Sequence, residues 1–117
     1  MKKYISVIII LFTLTISCSV ENPQDNSNNK IAVDAIKESY KDSERLVEVF
    51  LTEANVLYVS IIDNGVDQNR FAETICNQLK EYNSTIKWVK IVKAGSTEDK
   101  NADNAYGVLL GDCHCQN

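Results

Sequence analysis

A chain of 117 residues with 12 basic and 16 acidic side chains, and hence a formal net charge of −4, has room for one small domain and carries no basic stripe. It therefore does not fit a nucleic-acid-binding protein, because phosphate contacts require clustered Lys and Arg. Glycine occurs only 4 times, and neither a P-loop nor a Rossmann glycine pattern is present. We accordingly expect no phosphate cradle and no cofactor.

The first element is a segment of signal-peptide form. Lys2 and Lys3 make a short basic region, and residues 5–16 follow as an apolar run. This run is too short to cross a hydrocarbon core about 30 Å thick as a helix, so it predicts an export signal rather than a membrane span.

The apolar run ends at Ser17 and Cys18. On these residues the chain resembles bacterial lipoprotein precursors, which are cleaved just before a cysteine in a motif of the form Leu, small, small, Cys. Thr15 stands where the leucine is usual. Ordinary signal-peptidase cleavage, for instance after Ser19, is therefore the first alternative, and a retained anchor is the second.

The resemblance implies that residues 1–17 are removed and that Cys18 becomes the first mature residue. It would carry thioether-linked diacylglycerol and usually a third acyl chain, such as palmitate, on its amine. Two or three acyl chains hold a protein stably at a membrane, whereas one does so only marginally. We therefore expect a lipid-anchored protein of the bacterial cell envelope. Ser19, in place of Asp, favours the outer membrane over the inner membrane.

Residues 18–29 are polar, rich in Asn and contain the only proline, Pro23. Such a segment predicts a flexible tether. Residues 30–117 remain for a single small α+β domain. Because a domain of this size buries only about 60–65% of its chain surface, a covalent staple would stabilise it.

The first half of this domain predicts one helix and two strands. A thin apolar stripe predicts a helix over residues 30–42, although residues 31–36 would also pass as a short strand. Branched and aromatic residues predict strands over residues 46–51 and 56–63. The short polar segment between them suits a hairpin.

The second half predicts a strongly amphipathic helix over residues 67–82, with Asp67 as its N-cap. A strand over residues 86–92 follows, and a last strand over residues 106–112 comes after a polar loop. The order α-β-β-α-β-β predicts an α+β fold: a small two-layer sandwich with helices on one face of a largely antiparallel sheet. If the strands on either side of the second helix are parallel, their connection should be right-handed.

The third predicted strand contains Trp88, the only tryptophan. Lys87 and Lys93 have one parity along this strand and Lys90 has the other, so the sheet should be only partly covered there. Trp88 is then either a ligand platform on the open side or a residue packed over the sheet. Packing is the commoner role of such a tryptophan.

Three cysteines remain once Cys18 is assigned to the lipid, and an oxidising compartment favours their pairing. Cys76 lies on the helix face that should meet the sheet. Cys113 and Leu109 are four residues apart on the last strand, so both side chains are expected to point toward that helix. We predict a disulfide from Cys76 to Cys113 or Cys115. It would close a loop of about 38–40 residues and stabilise the domain by about 4 kcal/mol. The leftover thiol is then free, buried or paired with another molecule.

Two chemical alternatives use the same residues. Cys76, Cys113, His114 and Cys115 offer ligands suited to zinc or copper(I), but in an extended tail His114 points opposite to both neighbouring cysteines. Thiol exchange is the other alternative. Redox cysteines usually sit at a helix N-terminus that lowers the thiol pKa, which this tail lacks.

A weaker metal motif lies in the loop before the last strand. Asp99, Asn101 and Asp103 alternate as at the start of a calcium loop. Asn104 and Leu110, however, occupy the places of the required Gly and bidentate Glu. A turn in which Asp and Asn bond their own backbone explains the pattern equally well.

The leading hypothesis is therefore a lipid-anchored envelope protein whose domain is a non-catalytic binding or interaction module. Its expected partner is another protein of the envelope. We expect no catalytic residues and no resident metal. The alternative is a thiol-redox or metal-handling envelope protein that acts through Cys76, Cys113 and Cys115.

Overall fold

The computed structural model describes residues 22–115. This part of the chain is α+β, with two α-helices and four strands after a short 3-10 helix. The 3-10 helix spans Pro23–Asp25, and the other elements are α1 (Ser27–Ser39), β1 (Leu46–Leu51), β2 (Val56–Ile61), α2 (Asn69–Lys80), β3 (Trp88–Lys93) and β4 (Leu109–His114).

The four strands form one mixed sheet in the order β1-β2-β3-β4. The outer pairs are antiparallel, with Phe50 opposite Tyr58 and Trp88 opposite His114. The central pair is parallel, with Val56 beside Trp88. The predicted largely antiparallel sheet thus needs correction at its centre. α2 is long enough, at about 18 Å, to return the chain along a six-residue strand and start β3 in the direction of β2.

The first helix begins earlier than predicted. α1 starts at Ser27, where the Asn26 side chain accepts a hydrogen bond from the backbone N–H of Asn29. Together with the 3-10 helix, this means that residues 22–29 are folded, so the expected flexible tether over residues 18–29 is wrong for that portion. The predicted signal peptide and Cys18 lie outside the described residues.

The Asn29 side chain explains why this polar segment folds. It is completely buried. Its amide nitrogen donates to the carbonyl of Pro23 at 3.0 Å and to the hydroxyl of Thr85 at 2.8 Å. Its amide oxygen accepts from Ser84 Oγ at 2.9 Å and from the backbone N–H of Thr85 at 2.8 Å. One side chain therefore joins the start of α1 to the connection between α2 and β3.

We expect Asn29→Ala to lower the free energy of unfolding by about 2–3 kcal/mol, because four hydrogen-bonding groups lose their buried partner. Urea denaturation measures the change. Asn28→Ala is the matched control, since Asn28 is exposed on the same turn of α1 and should change stability by under about 0.5 kcal/mol. Equal losses for the two variants would contradict a structural role for the Asn29 network.

Both helices and alternate strand residues contribute to a single core. The side of the sheet that these residues occupy is called here the helix side, and the opposite side the open side. The core residues on the strands include Val49, Leu57, Val59, Ile61, Val89 and Ile91, and those on the helices include Ala32, Val33, Ile36, Ala72, Ile75, Cys76 and Leu79.

The start of α2 lies directly against the outer edge of β4. The backbone N–H of Gln68 donates to the carbonyl of Leu110 at 3.1 Å, and the backbone N–H of Asp112 donates to Asn69 Oδ1 at 2.9 Å. Between these bonds sits Gly111. A Cβ atom on Gly111 would lie 2.5 Å from the backbone nitrogen of Asn69 and 2.8 Å from the carbonyl oxygen of Gln68.

Other boundaries also differ from prediction, most clearly at the start of α2 and of β4. Gln68, rather than Asp67, precedes the first helical residue, although the Asp67 carboxylate accepts from the backbone N–H of Asn69 at 2.8 Å. The last strand begins at Leu109 rather than at residue 106. Gly107 has φ +127° and packs against Ser96, so the chain is still turning at that point.

Candidate functional site

The cysteines meet at the end of β4. The sulfur atoms of Cys76 on α2 and Cys115 lie at disulfide distance, which is the second of the two predicted pairings. Cys113 carries a half-exposed free thiol, and its backbone carbonyl lies 3.5 Å from Cys76 Sγ. All three cysteines of the described chain are thus close together, with two of them joined.

His114 does not join that group. Its ring stacks on Trp88, with the ring centroids 4.3 Å apart, on the side of β4 away from the core. Within residues 22–115 no group of three His, Cys, Asp or Glu side chains is arranged to hold a metal ion. The four residues considered for zinc or copper(I) are therefore not brought together as a ligand set.

The acidic loop before β4 folds on its own backbone. Asp99 Oδ1 accepts from the backbone N–H of Asn101 at 2.8 Å, and Asp103 Oδ2 accepts from that of Leu109 at 2.9 Å. These are the local bonds that Asp makes in turns. The alternating acidic pattern thus has a structural use in shaping this loop.

Trp88 lies half-buried on the open side of the sheet. Its indole N–H donates to Asp112 Oδ2 at 2.9 Å, and the Lys90 ammonium lies 4.0 Å from its ring centroid. Lys90 and His114 therefore cover much of its surface, and a cation–π contact of this geometry is favourable. Trp88 is neither a core residue nor a bare platform.

A second aromatic group occupies the other half of the open side. Phe50 stacks on Tyr58 with the ring centroids 5.5 Å apart, and Tyr106 packs over both, 4.9 Å from Phe50 and 4.1 Å from Tyr58. Tyr106 reaches this position from the loop between β3 and β4. Burial first, and the neighbouring Tyr106 phenol second, raise the pKa of Tyr58 above its ordinary value of 10.0.

This shift predicts a loss of stability at alkaline pH. The folded state keeps the Tyr58 phenol protonated where the unfolded chain already ionises, so stability should fall as the pH rises above about 10 toward the raised folded pKa. Urea unfolding between about pH 8 and pH 11 should show a shallower decline for Tyr58→Phe. Tyr82→Phe is the control, because Tyr82 is 38% exposed and should leave the slope unchanged. Parallel slopes for the two variants would contradict the prediction.

Of the two edge strands of the sheet, β1 is less covered by other elements than β4. The carbonyl of Leu51 points outward, because it accepts from Gln24 Nε2 at 2.8 Å rather than from β2. Backbone groups alternate in direction along an antiparallel strand, so those of Val49 also point outward. Val47, next to a bulge between Leu46 and Glu48, is 57% exposed. The outer edge of β4, in contrast, is hydrogen-bonded to Gln68 and Asn69 at the start of α2.

A concave surface borders β1 on each side of the sheet. On the helix side, a groove of about 380 Å³ lies between α1 and β1. On the open side, a groove of about 450 Å³ lies between β1 and the loop that carries Tyr106. Phe50 borders both grooves. We call them the helix-side groove and the open-side groove.

The two grooves differ in charge. Lys30, Asp34 and Lys37 of α1 line the helix-side groove above an apolar floor that includes Val33 and Val49. Among the described residues, neither Lys30 nor Lys37 takes part in a salt bridge. The open-side groove contains Glu48 beside apolar and hydroxyl side chains.

Sequence reasoning missed these grooves and the residues around them. Once the strand register is known, the alternation of side chains along each strand predicts that Phe50, Tyr58 and Trp88 all lie on the open side. Lys30, Asp34 and Lys37 lie three and four apart, so they share one face of α1. The chain alone, however, does not reveal that this face borders β1.

Within residues 22–115 no helix is both long enough and apolar enough to cross a membrane. A scan against protein-family models and searches of curated proteins and of solved structures find no match to this chain. The geometry of its own residues is therefore the basis for assigning a function.

Proposed function

We propose that this chain is a lipoprotein of the bacterial cell envelope, anchored through acyl chains on Cys18, and that its domain is a non-catalytic binding module. The contact surface is the outer edge of β1 with the helix-side and open-side grooves. The observation that carries the binding assignment is this edge, because its outward backbone groups lie between two concave surfaces. The anchor rests on the resemblance of residues 1–18 to lipoprotein precursors.

The buried polar residues support a binding module over an enzyme, because each has a structural task. They are Asn29, Gln68, Ser84 and Ser96. Ser96 Oγ, for example, donates to the carbonyl of Lys93 at 2.6 Å and accepts from the backbone N–H of Val108 at 2.8 Å. The imidazole of the only histidine, His114, is stacked on Trp88, and no hydrogen bond joins it to a Ser, Thr or Cys side chain of residues 22–115.

The anchor is tested by the intact mass of the protein purified from native membranes and alkylated without reductant. We expect a chain that starts at Cys18, is heavier by an acylated glyceride and carries one alkyl group, on Cys113. An unlipidated chain that starts elsewhere would overturn the anchor. Three alkyl groups on the mature domain would overturn the disulfide.

The binding assignment is tested by placing a photo-crosslinking amino acid at Val47 in intact cells. We expect a discrete crosslinked product from this position, because Val47 is exposed at the β1 edge and borders the open-side groove. The matched control is Glu73, which is exposed on α2 and lines neither groove. Equal crosslinking from both positions would contradict a dedicated binding surface at β1.

Thiol chemistry is the second candidate, favoured by the half-exposed Cys113 beside the Cys76–Cys115 pair. A metal site in this cluster would first require reduction of that pair, because metal ligation uses thiolates. Cys113→Ser separates the two candidates. A binding module should keep its Val47 crosslink in this variant, whereas a thiol-dependent function should be abolished without unfolding of the domain.

A further inference from the structure

We propose that the ligand of the β1 edge is an extended peptide that pairs with β1 as a fifth strand and directs carboxylate side chains toward Lys30 and Lys37. This inference rests on the proposed binding function and names its partner class: an acidic segment in an extended conformation. Strand addition of this kind draws affinity from the backbone and specificity from pockets for alternate side chains.

The backbone of β1 supplies the first argument. The carbonyl of Leu51 points outward but already accepts from Gln24 Nε2, so the outward groups that are open to a ligand begin one pair further along the strand. The N–H and C=O of Val49 point the same way by alternation, and no hydrogen bond from another described residue occupies them. The bulge next to Val47 shortens the edge, so a ligand strand would pair over a few residues only.

The two grooves supply the second argument. Side chains of a strand paired with β1 would point alternately to the two faces of the sheet. Those level with Val49 would enter the helix-side groove, and those level with Glu48 and Phe50 would enter the open-side groove. A ligand strand thus has a concave surface for each set of side chains, which an isolated surface pocket would not provide.

Charge supplies the third argument. Lys30 and Lys37 are seven residues apart on α1, which separates them by about 10 Å along the helix axis. Residues four apart in an extended peptide are separated by about 13 Å, on the same face of the strand. Flexible lysine side chains bridge that difference, so two carboxylates spaced in this way match the two ammonium groups. The Asp34 carboxylate between them disfavours a third acidic residue at the centre.

The same reasoning disfavours a second copy of this chain as the occupant. If β1 of one copy paired with β1 of another, the strand residues that point to the helix side would be Val49 and Leu51, which bring no carboxylate to Lys30 and Lys37. Glu48 would point to the opposite side. An acidic peptide strand places carboxylates beside the two lysines, whereas the β1 strand of a second copy does not.

The test measures binding of a fluorescein-labelled peptide, Ser-Glu-Leu-Val-Leu-Glu-Ser with blocked ends, to the full-length protein purified from membranes in detergent. Its two glutamates are four apart and share the face of the valine. Replacing both glutamates with lysine should weaken binding by about tenfold. The double variant Lys30→Glu, Lys37→Glu should reverse the preference between the two peptides, and both lysines are exposed, so its fold should be unaffected.

Backbone methylation separates strand pairing from simple charge attraction. One peptide is N-methylated at its second, fourth and sixth residues, and another at its third and fifth. Strand addition predicts that one of the two loses binding while the other keeps it, because only one set of N–H groups faces β1. Equal binding of both, or NMR shifts of the protein that lie away from Val47, Val49 and Leu51, would overturn the proposal.

Three other results would overturn it in different ways. Concentration-dependent dimerisation with shifts at β1 in the absence of peptide would assign the edge to a second copy. Crosslinking from Val47 in cells, together with no binding of the acidic peptide, would leave the binding module standing and refute the acidic strand as its ligand. Absence of both crosslinking and peptide binding would refute the proposed function itself.

Discussion

Gly111→Ala is expected to lower the free energy of unfolding by about 3 kcal/mol or more, which is at the upper end of the cost of overpacking. The added methyl group would lie 2.5 Å from the backbone nitrogen of Asn69 and 2.8 Å from the carbonyl oxygen of Gln68. These are backbone atoms at the start of α2, so no side chain can rotate away. Either β4 or α2 has to shift, and the bond between Gln68 and Leu110 is lost with it.

Urea denaturation followed by circular dichroism measures this loss. Gly65→Ala is the control, because Gly65 has φ +80° but no atom lies within 4 Å of its added Cβ. That variant should lose only about 1 kcal/mol from backbone strain. A Gly111→Ala protein as stable as the Gly65→Ala protein would show that α2 does not lie against β4 as described.

Loss of the bond between Cys76 and Cys115 is expected to have the largest effect on stability, about 4 kcal/mol. The paired residues are 39 positions apart, and in the chain-entropy account a link across a loop of that length restricts the unfolded chain by this amount. The double variant Cys76→Ala, Cys115→Ala should therefore unfold at a much lower urea concentration than the parent under oxidising conditions. The two proteins should converge when the parent is reduced.

Cys113→Ala provides the control for the pairing. Its thiol is half-exposed and outside the disulfide, so removing it should change stability by under about 1 kcal/mol. If Cys113→Ala instead cost as much as the double variant, the pairing would run from Cys76 to Cys113. The measurement thus discriminates between the two partners that the sequence allowed.

Local patterns predicted the parts of this fold that depend on neighbouring residues. β1 has the bounds expected from its branched and aromatic residues, Leu46–Leu51. The apolar stripe of α2 includes Ile75, Cys76 and Leu79, which are buried as expected from helical spacing. In both cases the signal lies within a few residues of the position that it predicts, so no knowledge of the rest of the fold was needed.

The folded segment before α1 was missed because its composition is that of a linker. Asn29 looks like a solvated residue in a polar run, and only the distant Ser84 and Thr85 make its burial favourable. A local signal did exist, since Asn26 directly before Ser27 is a good N-cap. The thin apolar stripe of α1 gave that signal too little support.

The candidate site depends on contacts between residues far apart in sequence. Tyr106 covers Phe50 and Tyr58 only because the loop between β3 and β4 turns back over the open side. The helix-side groove exists only because α1 lies beside β1. Charge and hydrophobicity patterns carry no information about either approach.

The early start of the fold also limits how far the domain can act from the membrane. With Cys18 as the anchored residue, as proposed, only four chain steps lead to Asn22, the first described residue, and four residues span at most about 14 Å. Beyond Asn22 the chain is tied to β1 through Gln24. With the anchor as proposed, a partner therefore has to come close to the bilayer surface to be bound.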